Sequence, residues 1–159
     1  MKIVLATRNR AKAEEIRKML EGMDITLLTL DDFPEIKEMP PEDGATFEAN
    51  ALIKARSAAK ETGLPALADD SGLEVDFLMG RPGVFSARYS GPHATDELNN
   101  MKLLKELQRA SFEKRRARFR CAAAFVDKGA EAVFAGALEG VIAENPAGRG
   151  GFGYDGRRG

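Results

Sequence analysis

The chain opens on an apolar run, Ile3 to Ala6, which predicts a short buried strand over residues 2–7. From Ala11 the apolar positions take helical spacing, with Ile16, Met19 and Leu20 on one face and Gly22 closing a helix over 11–21. Residues 24–30 predict a second strand, and the acidic, proline-containing stretch 31–44 a loop. Phe47, Ala51, Ala55, Ala58 and Ala59 then recur at helical spacing until Gly63 and Pro65. A stripe that small predicts close packing against a sheet. Residues 64–78 predict a short strand, a turn at Ser71-Gly72 and another short element, followed by an irregular glycine- and proline-rich stretch, 80–92. Thr95 caps a third helix whose predicted buried face is Leu98, Met101, Leu104 and Leu107. Residues 118–126 and 132–143 predict strands around a turn at 127–129. Strands and helices that mix without strict alternation predict an α/β or α+β fold with a mixed sheet. No repeat, low-complexity tract or linker interrupts the pattern, so residues 1–159 read as one domain.

Composition narrows the chemistry. The formal net charge of −1 over 159 residues does not describe a polyanion binder, so any cationic site must be local. No run approaches the roughly 18 apolar residues of a membrane span, and the N-terminal apolar stretch is too short for a signal peptide. Cys121 is the only cysteine; no internal disulfide can form, a reducing cytoplasm fits, and its strand position predicts a small core residue. His93, the only histidine, is expected in an exposed loop beside the Thr95 cap. A single histidine argues against a histidine-based zinc site or a Ser–His triad, and any metal is expected to be held by oxygen. The basic run from Lys114 to Arg120 lacks aromatic interleaving and reads as a solvated turn and strand edge, not a nucleic-acid surface.

Four segments carry candidate chemistry. Arg8, Arg10 and Lys12 crowd a helix start, where free N–H groups and the macrodipole already favour an anion. Thr7 and Asn9 add neutral donors, although the same segment also reads as a solvated basic turn. Asp69 and Asp70 end an apolar strand, where paired carboxylates are costly without a cation or hydrogen bonds. A hard divalent ion answers that need, and such a carboxylate can deprotonate a water; a capped turn is the alternative. Glu42 precedes the second helix, as a cap or as a metal ligand. The stretch 148–155, GRGGFGYD, satisfies Gly-x-Gly-x-x-Gly but opens no helix within a βαβ unit, so the dinucleotide reading fails. Its Phe152 and Tyr154 suit stacking on a flat base, or are ordinary aromatics of a glycine-rich turn.

Jointly, Thr7-x-Asn9-x-x-Lys12, GATFEANALIKA (44–55), ALADDSGLEVD (66–76), PGVFSARYSG (82–91) and NPAGRGGFGYD (145–155) resemble, in order, the blocks of the inosine triphosphate pyrophosphatase family. The resemblance implies an α/β fold with an elongated mixed sheet flanked by helices, in two lobes with a cleft between them. It implies Mg²⁺, a homodimer, and cleavage of inosine- and xanthosine-type triphosphates into a monophosphate and pyrophosphate. It implies no nucleic acid and no membrane partner. Carried over residue by residue, Thr7, Arg8, Asn9, Arg10, Ala11 and Lys12 would hold the triphosphate. Glu42 and Asp70 would hold the metal with Asp69 in support, and Asp70 would be the general base. Ser71 would contact substrate, and Phe152, Gly153, Tyr154 and Asp155 would embrace the base and sugar.

The sequence departs from that family after Asp155, where GRRG replaces a proline, an apolar strand and a helical tail with a Ser-His-Arg motif. Two expectations follow. Discrimination of the purine's keto group weakens, and a sheet missing a strand and a helix leaves apolar surface bare. The alternative to an active enzyme is a truncated nucleotide-binding member with weak or no turnover.

Overall fold

The computed structural model describes residues 1–145. Its elements are β1 (Lys2–Leu5), α1 (Arg10–Met19), β2 (Thr26–Thr29), α2 (Phe47–Thr62), β3 (Ala66–Val75), α3 (Asp96–Glu106), β4 (Arg116–Asp127) and β5 (Ala130–Val141), with short 3₁₀ turns between them. The strands form one mixed, open sheet in the order β2-β1-β3-β4-β5. By their internal contacts the described residues divide into two units, 1–70 with 122–135, and 71–121 with 136–145.

In the first unit, β1 pairs in parallel with β2 (Val4 opposite Leu28) and with β3 (Leu5 opposite Leu67). It is an interior strand buried on both faces, which is why Ile3, Val4 and Leu5 form an unbroken apolar run. Leu30 and Ile36 close over Val4. Helix α2 starts at Thr46, whose Oγ1 accepts the Ala49 N–H at 3.1 Å, and ends at Gly63, whose φ of 67° only glycine adopts without strain. Ala51, Ala55 and Ala58 on this helix are fully buried, as the alanine stripe predicts, while Ala59 is half-buried.

The order of the first three strands contains a reversal. From β1 the chain moves through α1 to β2 on one side; from β2 it returns through α2 to β3 on the other. Right-handed crossovers in both connections put α1 and α2 on opposite faces of the sheet. At such a reversal the carboxyl end of β1, where the chain turns into α1, is the usual ligand position in open α/β sheets.

The second unit has its own core: Leu73, Val75, Leu78, Tyr89, Leu103, Leu107, Ala110, Ala117 and Ile142. Thr95 caps α3 as expected, its Oγ1 accepting the Leu98 N–H at 3.2 Å. The buried face differs from the expected one. Leu98 and Met101 are exposed, and Asn99, Leu103 and Leu107 face inward. The reason is Asn99, whose Nδ2 donates to the carbonyls of Ser86 and Ala87 and whose Oδ1 accepts from Ser90, turning the helix toward the 83–90 segment. Likewise Met19 of α1 is exposed, and Ala13 is that helix's buried residue.

Two further expectations change. Ser71-Gly72 is not a turn, because β3 runs unbroken through it and the next N–H, that of Leu73, donates to Ser86 Oγ at 2.9 Å. Cys121 is exposed, since the alternation of β4 gives the buried face to Ala122, Ala124 and Val126. The hairpin from β4 to β5 turns at Lys128 and Gly129, both with positive φ, as a two-residue hairpin requires. His93 is exposed in the turn before Thr95. No helix among the described residues is long and apolar enough to cross a membrane.

Candidate active site

At the end of β1 the chain turns into α1 through Thr7, Arg8 and Asn9. Thr7 Oγ1 accepts the Asn9 N–H at 3.1 Å, and Asn9 Oδ1 in turn accepts the Lys12 N–H at 3.2 Å, capping the helix. The cap satisfies one orphan donor, and the N–H groups of Arg10 and Ala11 in the first turn have no intrahelical partner. That first turn holds no acidic residue. Thr7, Arg8, Asn9, Arg10 and Ala13 line a cavity of about 350 Å³ with Thr29 and Asp31.

Arg8 is placed differently from its neighbours. Its Nη1 donates to the Leu30 carbonyl at 3.2 Å and pairs with Asp31 at 3.3 Å, and its Nη2 donates to the Ile36 carbonyl. The guanidinium therefore fastens the segment after β2 to the loop after β1.

The parallel register sets Leu5 opposite Leu67, two residues before Asp69. Lys12 Nζ lies 2.6 Å from Asp69 Oδ2, a pair that is mostly buried. Asp70, the next residue, points to the other face of the strand, as alternation dictates. There Asn50 Nδ2 of α2 donates to its Oδ2 at 3.0 Å. Lys54, one helical turn beyond Asn50, places its Nζ 3.8 Å from Asp70 Oδ1 and 3.3 Å from Glu42 Oε1. The structure thus brings Glu42, Asp70, Asp69 and Lys12 together in one unit. Ser71 follows on β3, half-buried. Phe152, Gly153, Tyr154 and Asp155 lie outside the described residues.

The metal fit can be judged from the donors. Among the described residues no group of three or more His, Cys, Asp or Glu is gathered as a metal cage. Glu42 and Asp70 instead share one ammonium between them, so the arrangement already demands a cation. Two hard carboxylates are the donor type that Mg²⁺ takes, and it rarely needs a full protein cage.

Three residues with parts in this arrangement carried no signal in hydrophobic periodicity: Gly44, Asn50 and Lys54. Asn50 and Lys54 sit four apart on α2 beside the alanine stripe, and an Asn–Lys pair at that spacing is the clue that a search for polar interruptions would find. The basic run also resolves into specific contacts. Arg115 is buried and donates to the carbonyls of Leu107, Ala110 and Ala143, while Arg118 pairs with Glu74, Asp76 and Glu139 and Arg120 with Glu74.

Comparison with known proteins adds a family. The model of the Ham1 family matches residues 3–156. The dITP/XTP pyrophosphatase of Geobacter sulfurreducens is 57% identical over 155 residues, which cover 97% of this chain and 77% of that one. A HAM1 protein from Coxiella burnetii superposes with a TM-score of 0.90 at 43% identity, over 99% of this chain and 81% of the other. A nucleoside-triphosphatase, or dITP/XTP pyrophosphatase, from Mycobacterium abscessus superposes with a TM-score of 0.85 at 49% identity, over 99% and 83%.

Proposed function

The chain belongs to the Ham1 family, and on that premise we propose that it is a pyrophosphohydrolase of non-standard purine nucleoside triphosphates such as ITP, dITP and XTP. The products are the monophosphate and pyrophosphate. The observation that carries this reading is an anion-seeking helix start tied to β3 by the Lys12–Asp69 contact at 2.6 Å, with Asp70 the very next residue of that strand.

In this reading the first-turn N–H groups of α1, with Thr7, Arg8, Asn9, Arg10, Ala11 and Lys12, hold the triphosphate, and Arg8 also fixes the loop that presents them. Glu42 and Asp70 hold the divalent ion, which we take to be Mg²⁺. When bound, it supplies positive charge to the phosphate oxygens. Asp70 accepts a proton from the attacking water as the new oxygen–phosphorus bond forms at the α-phosphate. The bond from that phosphorus to the bridging oxygen breaks, and the bridging oxygen leaves with pyrophosphate. Lys12 and the helix N–H groups stabilise the shifting charge without moving. The family resemblance alone assigns Ser71 to substrate contact and Phe152, Gly153, Tyr154 and Asp155 to the base and sugar. It likewise supports a single catalytic domain, a homodimer and a cytoplasmic setting.

The test is pyrophosphate release from ITP beside ATP and GTP, with Mg²⁺ and with a chelator, for the wild-type chain and Asp70→Asn. Expected is Mg²⁺-dependent pyrophosphate from ITP that chelation abolishes and the substitution lowers by about 10²–10⁴-fold. Orthophosphate as the product, or equal turnover by Asp70→Asn, would sink the reading.

A further inference from the structure

Asn50 has no exposure to solvent, and it interrupts a helix face otherwise built from alanine. A buried carboxamide is costly unless both ends are bonded. Both are: Oδ1 accepts the Gly44 N–H at 2.8 Å, and Nδ2 donates to Asp70 Oδ2 at 3.0 Å. The orientation is not a matter of choice. A backbone N–H can only donate, so Gly44 fixes Oδ1 on its side and turns Nδ2 toward Asp70. Asp70 Oδ2 is thereby held as an acceptor.

We propose that Asn50 is a positioning residue: its carboxamide ties the loop that carries Glu42 to the carboxylate of Asp70 and so sets how the two acids are presented. Glu42 stands two residues before Gly44, so the Gly44 N–H is the loop's attachment point. The tie explains the glycine. A Cβ on Gly44 would lie 2.6 Å from Asn50 Oδ1, 2.9 Å from Ala49 Cβ and 3.1 Å from Asn50 N, and something would have to move. Lys54 reaches the same two acids, but with an ammonium on a flexible stem, whose attraction sets no direction. Asn50 supplies the directional contacts. This role rests on the proposed hydrolysis, with Asp70 as its base.

The experiment measures kcat and KM for ITP, with melting temperatures, in wild type, Asn50→Leu, Gly44→Ala, Asp70→Asn and the Asn50→Leu/Asp70→Asn pair. Expected is a loss of about 10–100-fold in kcat for Asn50→Leu and for Gly44→Ala, the usual effect of removing an outer partner of a ligand, with KM nearly unchanged. In the Asp70→Asn background, Asn50→Leu should change kcat by less than about twofold, because the two residues act as a unit. Wild-type kcat in a folded Asn50→Leu chain would overturn the proposal, as would losses that multiply in the double variant. Should Asn50→Leu fail to fold, Gly44→Ala decides, since it displaces the carboxamide without deleting it. Absence of release by the wild-type chain would overturn the proposed function and this role with it; equal release by wild type and Asn50→Leu overturns this role alone.

Discussion

Asp69 and Asp70 are consecutive residues of β3 held by different helices: Asp69 Oδ2 lies 2.6 Å from Lys12 Nζ of α1, and Asp70 Oδ2 accepts from Asn50 Nδ2 of α2 at 3.0 Å. Strand alternation sends them to opposite faces, and the two crossovers put a helix on each. The pair is two one-residue sites with separate partners, not a single carboxylate cluster.

Their substitutions should therefore separate. Asp70→Asn removes the base and is expected to lower kcat for ITP by about 10²–10⁴-fold, the usual size of a general-base contribution, with a small change in KM. Asp69→Asn leaves Asp70 and Asn50 in place and frees Lys12, so its effect should fall mainly on KM. Steady-state pyrophosphate release settles it. Indistinguishable kinetic signatures would contradict the division of labour.

Lys12 and Arg8 should also separate, although both are cations of one loop. Lys12→Met takes a charge from the phosphate site and is expected to raise KM and flatten its salt dependence. Arg8→Met cuts the links to Leu30, Asp31 and Ile36, and should chiefly lower stability. With the side chain partly exposed, about 1–2 kcal/mol is expected, or a fall of a few degrees in Tm. Hydrogen exchange would locate the loosening in residues 30–36.

Arg115 sits in the middle of the basic run and is buried against three carbonyls, two of them at or just past the end of α3. Arg115→Met strands those acceptors and is expected to cost about 2–4 kcal/mol, read as a shift in the urea midpoint. Because Arg118 and Arg120 are also paired with acids, the run should give no duplex binding with the steep salt slope of phosphate contacts. A duplex titration at two salt concentrations checks this directly.

What could be read in the sequence follows from what each signal measures. The β1 run, the alanine face of α2 and the Thr95 cap are local patterns, and the structure holds them as written. Ser71-Gly72 has turn chemistry, but tertiary contacts keep β3 extended: Asp70 is held by Asn50 before it, and the Leu73 N–H by Ser86 after it. The face of α3 was hidden because Asn99 is polar, and periodicity counts apolar residues only. The same blindness concealed Asn50 and Lys54. In the candidate site, the residues with unusual local chemistry were visible, namely cations at a helix start and adjacent acids after an apolar run, although the acids stand within β3 and not at its end. The residues that hold them in place look like ordinary helix surface until the strand that they meet is known.

Tyr89 supplies a prediction on pH that does not depend on catalysis. Burial, then the hydrogen bond to the Glu106 carboxylate, push its phenol above the ordinary range, and Arg81 opposes them only weakly. A raised pKa means that the folded chain holds the proton more tightly than the unfolded chain does. The contribution to stability is therefore complete below the unfolded value of about 10, and it is lost as pH rises from there through the folded value. Tyr89→Phe removes the titrating group, so the wild-type urea midpoint should fall more steeply than the variant's from pH 9 to 11. Parallel curves would mean that the phenol is not held as the structure places it, between Glu106 and the Lys102 ammonium that stands 4.3 Å from its ring centroid.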